Sequence, residues 1–186
     1  MIPIFEQGGG RGIGYGLEDF LKRFDEICKQ HIETKRAKAF ALIFYDFHND
    51  SFRRVIDDLG VFAELDRLAG TRLSIFYLHT AGKRAVDAFN LTLLQSLGLP
   101  EATPPCVVFF KLGKDGFSDI ALATLSSADL IHAFPELYSV IKRYVANSIC
   151  KTNKGLKSVR WIVSSLEFLS KESLRDVIHL AIRHIL

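Results

Sequence analysis

The spacing of apolar positions divides the chain into alternating helical and extended stretches. After a short apolar start, Leu17, Phe20, Leu21, Phe24, Ile27, Cys28 and His31 recur at the i, i+3, i+4, i+7 interval of one amphipathic helix face. The run from Ala39 to Tyr45 is apolar at every position, the pattern of a central strand covered on both faces by helices. Asp50 or Ser51 can cap a following helix whose apolar positions Val55, Ile56, Leu59, Phe62, Leu65 and Leu68 run to Gly70, with Gly60 a point at which it can split. Leu73 to Leu78 reads as a second strand, and Val86, Phe89, Leu93, Leu94 and Leu97 as a helix closed by Gly98 and Pro100.

From there the connections change. The apolar run from Cys106 to Lys111 and the run from Asp119 to Ala123 are separated only by a short turn around Gly113-Lys114-Asp115-Gly116, which predicts a hairpin. Ser126 or Ser127 then precedes Leu130, Ile131 and Phe134, and Pro135 can restart a helix through Leu137, Ile141, Tyr144 and Val145. The expected order is β-α-β-α-β-α-β-β-α. Helical crossovers force parallel strands and a tight turn forces an antiparallel pair, so the sheet is mixed, with helices on both faces.

Two further stripes follow a polar connector. Val159, Ile162, Val163, Leu166 and Leu169 form one, and Leu174, Val177, Ile178, Ala181, Ile182 and Ile185 another, with Ser170 able to cap between them. This reads as a C-terminal helical hairpin. The organisation expected is a domain over residues 1–147, a basic connector over 148–157 and a helical extension over 158–186. The net charge of +3 is unevenly placed, because residues 151–186 hold seven Lys and Arg against three Asp and Glu. A near-neutral domain therefore carries a basic appendage. Without interleaved exposed aromatics, Lys151, Lys154, Lys157 and Arg160 read as a solvated face, which argues against nucleic acid as a partner.

Composition sets the remaining bounds. With 186 residues, 48% of them hydrophobic, the chain can bury a core without staples. No run approaches the roughly 20 apolar residues of a membrane span, and the stretch from Met1 to Glu6 lacks the basic and apolar regions of a secretory signal, so the expectation is a cytoplasmic protein with no membrane partner. Cys28, Cys106 and Cys150 are odd in number and widely spaced, which suits neither a disulfide framework nor a zinc knuckle.

The element order, together with Thr103-Pro104-Pro105-Cys106-Val107-Val108-Phe109-Phe110-Lys111-Leu112-Gly113, resembles the thioredoxin-like fold, in which a cis-proline precedes an apolar strand, then Phe-Lys-x-Gly, then a hairpin. Tyr45-Asp46-Phe47 also resembles the Asp-Phe that ends the central strand of that family. The resemblance implies a thioredoxin-like three-layer α/β sandwich over residues 1–147, with Pro105 at the cis-proline position. It departs from the family where redox chemistry would begin. A low-pKa thiolate is needed at the start of the helix after the central strand, and His48-Asn49-Asp50-Ser51-Phe52-Arg53-Arg54 contains no cysteine. Cys106, beyond Pro105, has no resolving partner in sequence. The resemblance thus implies a member without dithiol oxidoreductase activity, acting as a binding, assembly or scaffold module through a protein partner or self-association.

Other motifs keep different readings open. Asp46, His48 and Asp50 end the central strand and His79 ends the next, so these residues, with Pro105 and Cys106, are ligand-binding candidates at the carboxyl ends of parallel strands. A ligand- or metal-binding enzyme would use that cluster, although Asp50 is equally a helix cap and the histidines equally polar strand ends. Gly8, Gly9, Gly10, Arg11 and Gly12 resemble the glycine loop of short-chain dehydrogenases, and Tyr138-Ser139-Val140-Ile141-Lys142 copies their Tyr-x-x-x-Lys spacing. The short first strand with Pro3 and the late hairpin argue against a nicotinamide-dependent reductase, and the glycines read as a loop or an anion-binding nest. No catalytic residue, resident metal or cofactor is assigned. The second tail stripe, with Leu174, Val177, Ile178, Ile182 and Ile185, is the candidate interface. If it joins copies, light scattering after size-exclusion chromatography finds the full chain a dimer or larger and a chain ended at Asn153 a monomer; two monomers refute it.

Overall fold

A computed structural model describes residues 1–6, 14–46, 52, 54–55, 58–113, 116–126 and 130–147. The strands are β1 (Ile2–Phe5), β2 (Tyr15–Gly16), β3 (Ala39–Phe44), β4 (Leu73–His79), β5 (Cys106–Gly113) and β6 (Gly116–Thr124). Among the described residues five helices accompany them: α1 (Leu17–Lys22), α2 (Phe24–Glu33), α3 (Leu59–Ala69), α4 (Lys83–Ser96) and α5 (Leu130–Asn147). The strands form one sheet in the order β2-β1-β4-β3-β5-β6. β1, β3 and β4 run parallel, whereas β5 pairs antiparallel with β3 and β6 antiparallel with β5, so the sheet is mixed as the connections require.

All six residues of β3 are buried, because β4 and β5 pair along its two edges and helices cover its two faces. On one face Phe40 stacks 5.5 Å from Phe110, Phe24 of α2 lies 5.7 Å from Phe110, and Phe89 of α4 lies 5.7 Å from Phe44. On the other, Phe62 of α3 packs 4.7 Å from Tyr77 and Tyr144 of α5 stacks 4.1 Å from Phe109. Three layers result: α1, α2 and α4, then the sheet, then α3 and α5.

Several boundaries differ from the sequence reading. The stripe from Leu17 to His31 is buried as expected, but the helix breaks at Arg23 (φ −117°, ψ 19°) into α1 and α2. β2, a two-residue strand parallel to β1, has too little length to show in apolar spacing. The helix ending at Gly70 begins afresh at Asp58, whose Oδ1 accepts from the Gly60 and Val61 N–H groups at 2.7 and 3.2 Å. Phe52, Arg54 and Val55 are helical ahead of it, while the expected caps Asp50 and Ser51 lie outside the described residues. Pro135 does not restart a helix, since α5 runs through it. One backbone hydrogen bond is lost there. Burial of Ala133, Leu137, Val140, Ile141 and Val145 on one side of the helix offsets that loss. The connector and the two tail stripes, with Cys150, Leu174, Val177, Ile178, Ile182 and Ile185, lie outside the described residues.

In the hairpin, Phe109 pairs with Ala121 but Lys111 with Ser118, so β6 carries one extra residue. Asp119 absorbs it at φ +52°, a left-handed conformation that aspartate tolerates better than most residues, and its carboxylate accepts from Lys111 at 2.7 Å.

Two helices end in the same motif. After α4, the Gly98 N–H donates to the Gln95 carbonyl and the Leu99 N–H to the Leu94 carbonyl at 2.9 and 2.8 Å, with Gly98 at φ +69°. After α2, the Lys35 N–H donates to Ile32 and the Arg36 N–H to His31 at 3.0 and 2.8 Å, with an exposed lysine at φ +57° where α4 has glycine. A left-handed non-glycine residue costs about 1–2 kcal/mol, partly offset by glycine's greater freedom in the unfolded chain. Lys35→Gly is therefore expected to stabilise the fold by roughly 0.5–1 kcal/mol in urea titration, and Gly98→Ala to destabilise it.

Candidate functional site

The carboxyl end of β3 is where a side chain first escapes the buried centre of the sheet, and two hydrogen bonds determine how it does so. The Tyr45 hydroxyl donates to the Leu78 carbonyl at 3.0 Å, tying the chain to the neighbouring strand. The Asn90 Nδ2 of α4 donates to the Tyr45 carbonyl at 2.9 Å, tying it to the helix. Asp46 follows directly, half-buried.

Beside it lies a cleft of about 300 Å³, with Asp46, Asp87, Asn90, Leu91, Leu94, Gln95, Pro100, Ala102 and Pro104 as its walls. The turn at Gly98 reverses the chain after α4 and brings Pro100 back against the helix. The Ala102 N–H then donates to the Leu99 carbonyl at 3.0 Å. The Pro104–Pro105 peptide bond is cis, and the Pro105 carbonyl accepts from the Leu125 N–H at 2.9 Å, anchoring the far end of this loop to β6's exit. The walls are thus a regular helix and a loop held at both ends. Leu91, on the outer lip, is 60% exposed and presents apolar surface at the mouth of the cleft. Asn90 is only 9% exposed, and among the described residues its Oδ1 finds no hydrogen-bond partner. An unpaired buried acceptor costs about 1–3 kcal/mol, so this position invites a donor.

The residues singled out from the sequence separate here. Asp46 lines the cleft, and Pro105 follows Pro104 in its loop. His79 does not join them. It lies opposite Phe5 in the β1–β4 register, its ring 5.7 Å from Phe5 and 6.2 Å from Tyr77. His48, Asp50 and the loop residues Gly8, Gly9, Gly10, Arg11 and Gly12 lie outside the described residues. Among the described residues no group of three His, Cys, Asp or Glu side chains is placed to hold a metal ion. Tyr138 and Lys142 form a cation–π pair on α5, with Nζ 5.9 Å from the ring, and neither is a wall of the cleft.

Cys106 opens β5 opposite Phe44 and is fully buried, and burial pushes its thiol up to about 12. Cys28 is equally buried, and burial, with a smaller contribution from Asp25, raises its thiol well above the usual range. Both are protonated at neutral pH and closed to disulfide exchange.

Two polar sites escaped the sequence reading. Asn90 stands four residues after Val86 and among Phe89, Leu93 and Leu94, so a polar residue on a helical apolar face was its available signal. The second is a network in the core: His31 Nδ1 lies 2.8 Å from Ser74 Oγ and its Nε2 3.1 Å from the Tyr15 hydroxyl, joining α2, β4 and β2. No interval in the sequence pairs these three. Burial, aided by Arg36, lowers the His31 pKa from 6.5 to about 4.

Comparison with known proteins gives no matching family model, no matching curated protein and no matching solved structure. Among the described residues no helix is long and apolar enough to cross a membrane.

Because His31 takes up a proton more readily in the unfolded chain, its contribution is complete above about pH 6.5 and declines as the pH falls towards 4. The expected loss across that window is about 3 kcal/mol. Urea titrations at several pH values should show His31→Gln lacking this part of the acid slope; identical slopes in both proteins would refute the assignment.

Proposed function

We propose that residues 1–147 form a thioredoxin-like domain without dithiol chemistry, which works by holding a segment of a partner protein in the cleft between α4 and the Pro100–Pro105 loop. Support for the fold comes from the strand order, in which β1, β4 and β3 run parallel and an antiparallel hairpin completes the sheet beyond β3. The helices on both faces and the Pro105 motif ahead of β5 agree with that reading. The single observation that carries the function is the cleft itself. It combines an exposed leucine at its lip, proline and leucine walls and a few polar groups, the composition of a site that grips through apolar contact and orients through hydrogen bonds.

The chemistry of the described thiols supports binding over catalysis, because neither Cys28 nor Cys106 is available as a thiolate. An extended segment suits the cleft because both of its walls are fixed before it arrives, which lowers the ordering cost of association.

A displayed peptide library selected against the full chain tests the proposal. Peptides that shift the amide resonances of Asp46, Asp87 and Ala102, and that bind at least tenfold more weakly to Leu91→Asp, are expected. A selection that yields no binder, or binders mapping to another face, overturns it.

A further inference from the structure

α4 shows solvent only a narrow strip of itself. Ala85, Thr92 and Ser96 on one flank and Asn90 and Leu94 on the other are buried. Arg84, Asp87, Leu91 and Gln95 are exposed between them, with Ala88 half-buried. At 3.6 residues per turn this strip is about 100° wide. A shallow groove of about 550 Å³ lies along its first part, lined by Lys83, Arg84, Asp87, Ala88 and Leu91.

The charges along the strip separate it from an ordinary solvated face. On α1 and α2, Lys22 pairs with Glu18 and Lys29 with Asp25 on the same helix. Among the described residues Lys83, Arg84 and Asp87, and Glu101 in the loop beyond α4, make no ion pair. Their signs are also ordered. Two cations occupy the first turn of α4 with no acidic residue beside them, against the direction of its dipole, and the exposed carboxylate of Glu101 stands beyond its last turn. The exposed Leu91 lies between these two ends.

We propose that α4 pairs antiparallel with α4 of a second copy of this chain, about a two-fold axis through Leu91. The charge order selects that direction. A parallel neighbour sets cations on cations, whereas the antiparallel one brings Lys83 and Arg84 of each copy to Glu101 of the other and to the negative end of its helix dipole. A two-fold contact uses the same patch on both copies, so residues equally far from position 91 face each other. The two Leu91 side chains meet on the axis, and Asp87 comes level with Gln95 of the second copy, whose amide can donate to it. Ala88 is small enough to leave room for that side chain. The strip is too narrow for the roughly 800 Å² per partner of a standard interface, so the pair is weak and forms at high concentration. Leu91 is also the lip of the cleft, and pairing covers that lip, but the inference does not depend on what the cleft binds.

The test uses the full chain in sedimentation equilibrium over micromolar to millimolar concentrations, with two-dimensional NMR on the same dilution series. The weight-average mass is expected to rise with concentration, and the amides of Ala88, Leu91 and Gln95 to shift with it. Lys83→Glu and Glu101→Lys, both exposed and neither a wall of the cleft, should each weaken association at least threefold, because each change removes two pairs and sets like charges together. The double variant, with the charges exchanged, should associate like the parent. A chain that stays monomeric throughout overturns the proposal. Association that neither single variant alters, or dilution shifts that map away from α4, overturns it as well.

Discussion

Complete burial of β3 is the constraint from which the architecture follows. A strand with six consecutive buried residues has no face to give to solvent and no edge to leave open. It must be paired on both sides and roofed above and below, which costs the chain at least two strands and a helix on each face before any site can be built. Polar chemistry is thereby driven to the ends of the strand. At its carboxyl end the chain emerges between α4 and the loop after Gly98, and the first partly exposed polar side chain there is Asp46.

The same constraint explains why the core is so rich in stacked rings. Phe40 and Phe44 of β3, Phe76 of β4 and Phe110 of β5 meet one another or rings from α1, α2 and α4 on one face, while Phe109 and Tyr77 meet Tyr144 and Phe62 on the other. Rings cover large area with few rotatable bonds, which suits a sheet that must be sealed on both sides. The His31–Ser74–Tyr15 network is a polar exception within it, its members hydrogen-bonded to one another.

Legibility in the sequence tracked the range of the interaction. Helix and strand identities, the mixed sheet and the closure at Gly98 were readable because apolar period and turn chemistry are local. The break at Arg23 and the continuity of α5 through Pro135 were not, since each is decided by what the flanking faces pack against; the fresh start at Asp58 was legible only as a possible split at Gly60, two residues on, although the cap that makes it is local. At the candidate site, Asp46 was visible as a strand-end carboxylate. Its separation from His79 was not, because strand-end residues converge only when their side chains point to a common side, and His79 instead faces Phe5 and Tyr77. Asn90 could be noticed as a polar residue on an apolar stripe, but its partner, the Tyr45 carbonyl, belongs to the backbone and leaves no trace in residue identity.

The extra residue in β6 bears on how the sheet ends. With β5 on one side, β6 has no strand on its other edge among the described residues, and its nine residues are a length on which another chain's strand could pair. The bulge at Asp119 interrupts that row of backbone groups and twists it, and a charged side chain stands at the interruption. The opposite margin of the sheet, β2, is only two residues long. Neither border presents a long, flat template, so the molecule can keep a strongly hydrophobic sheet without extending it from one copy to the next.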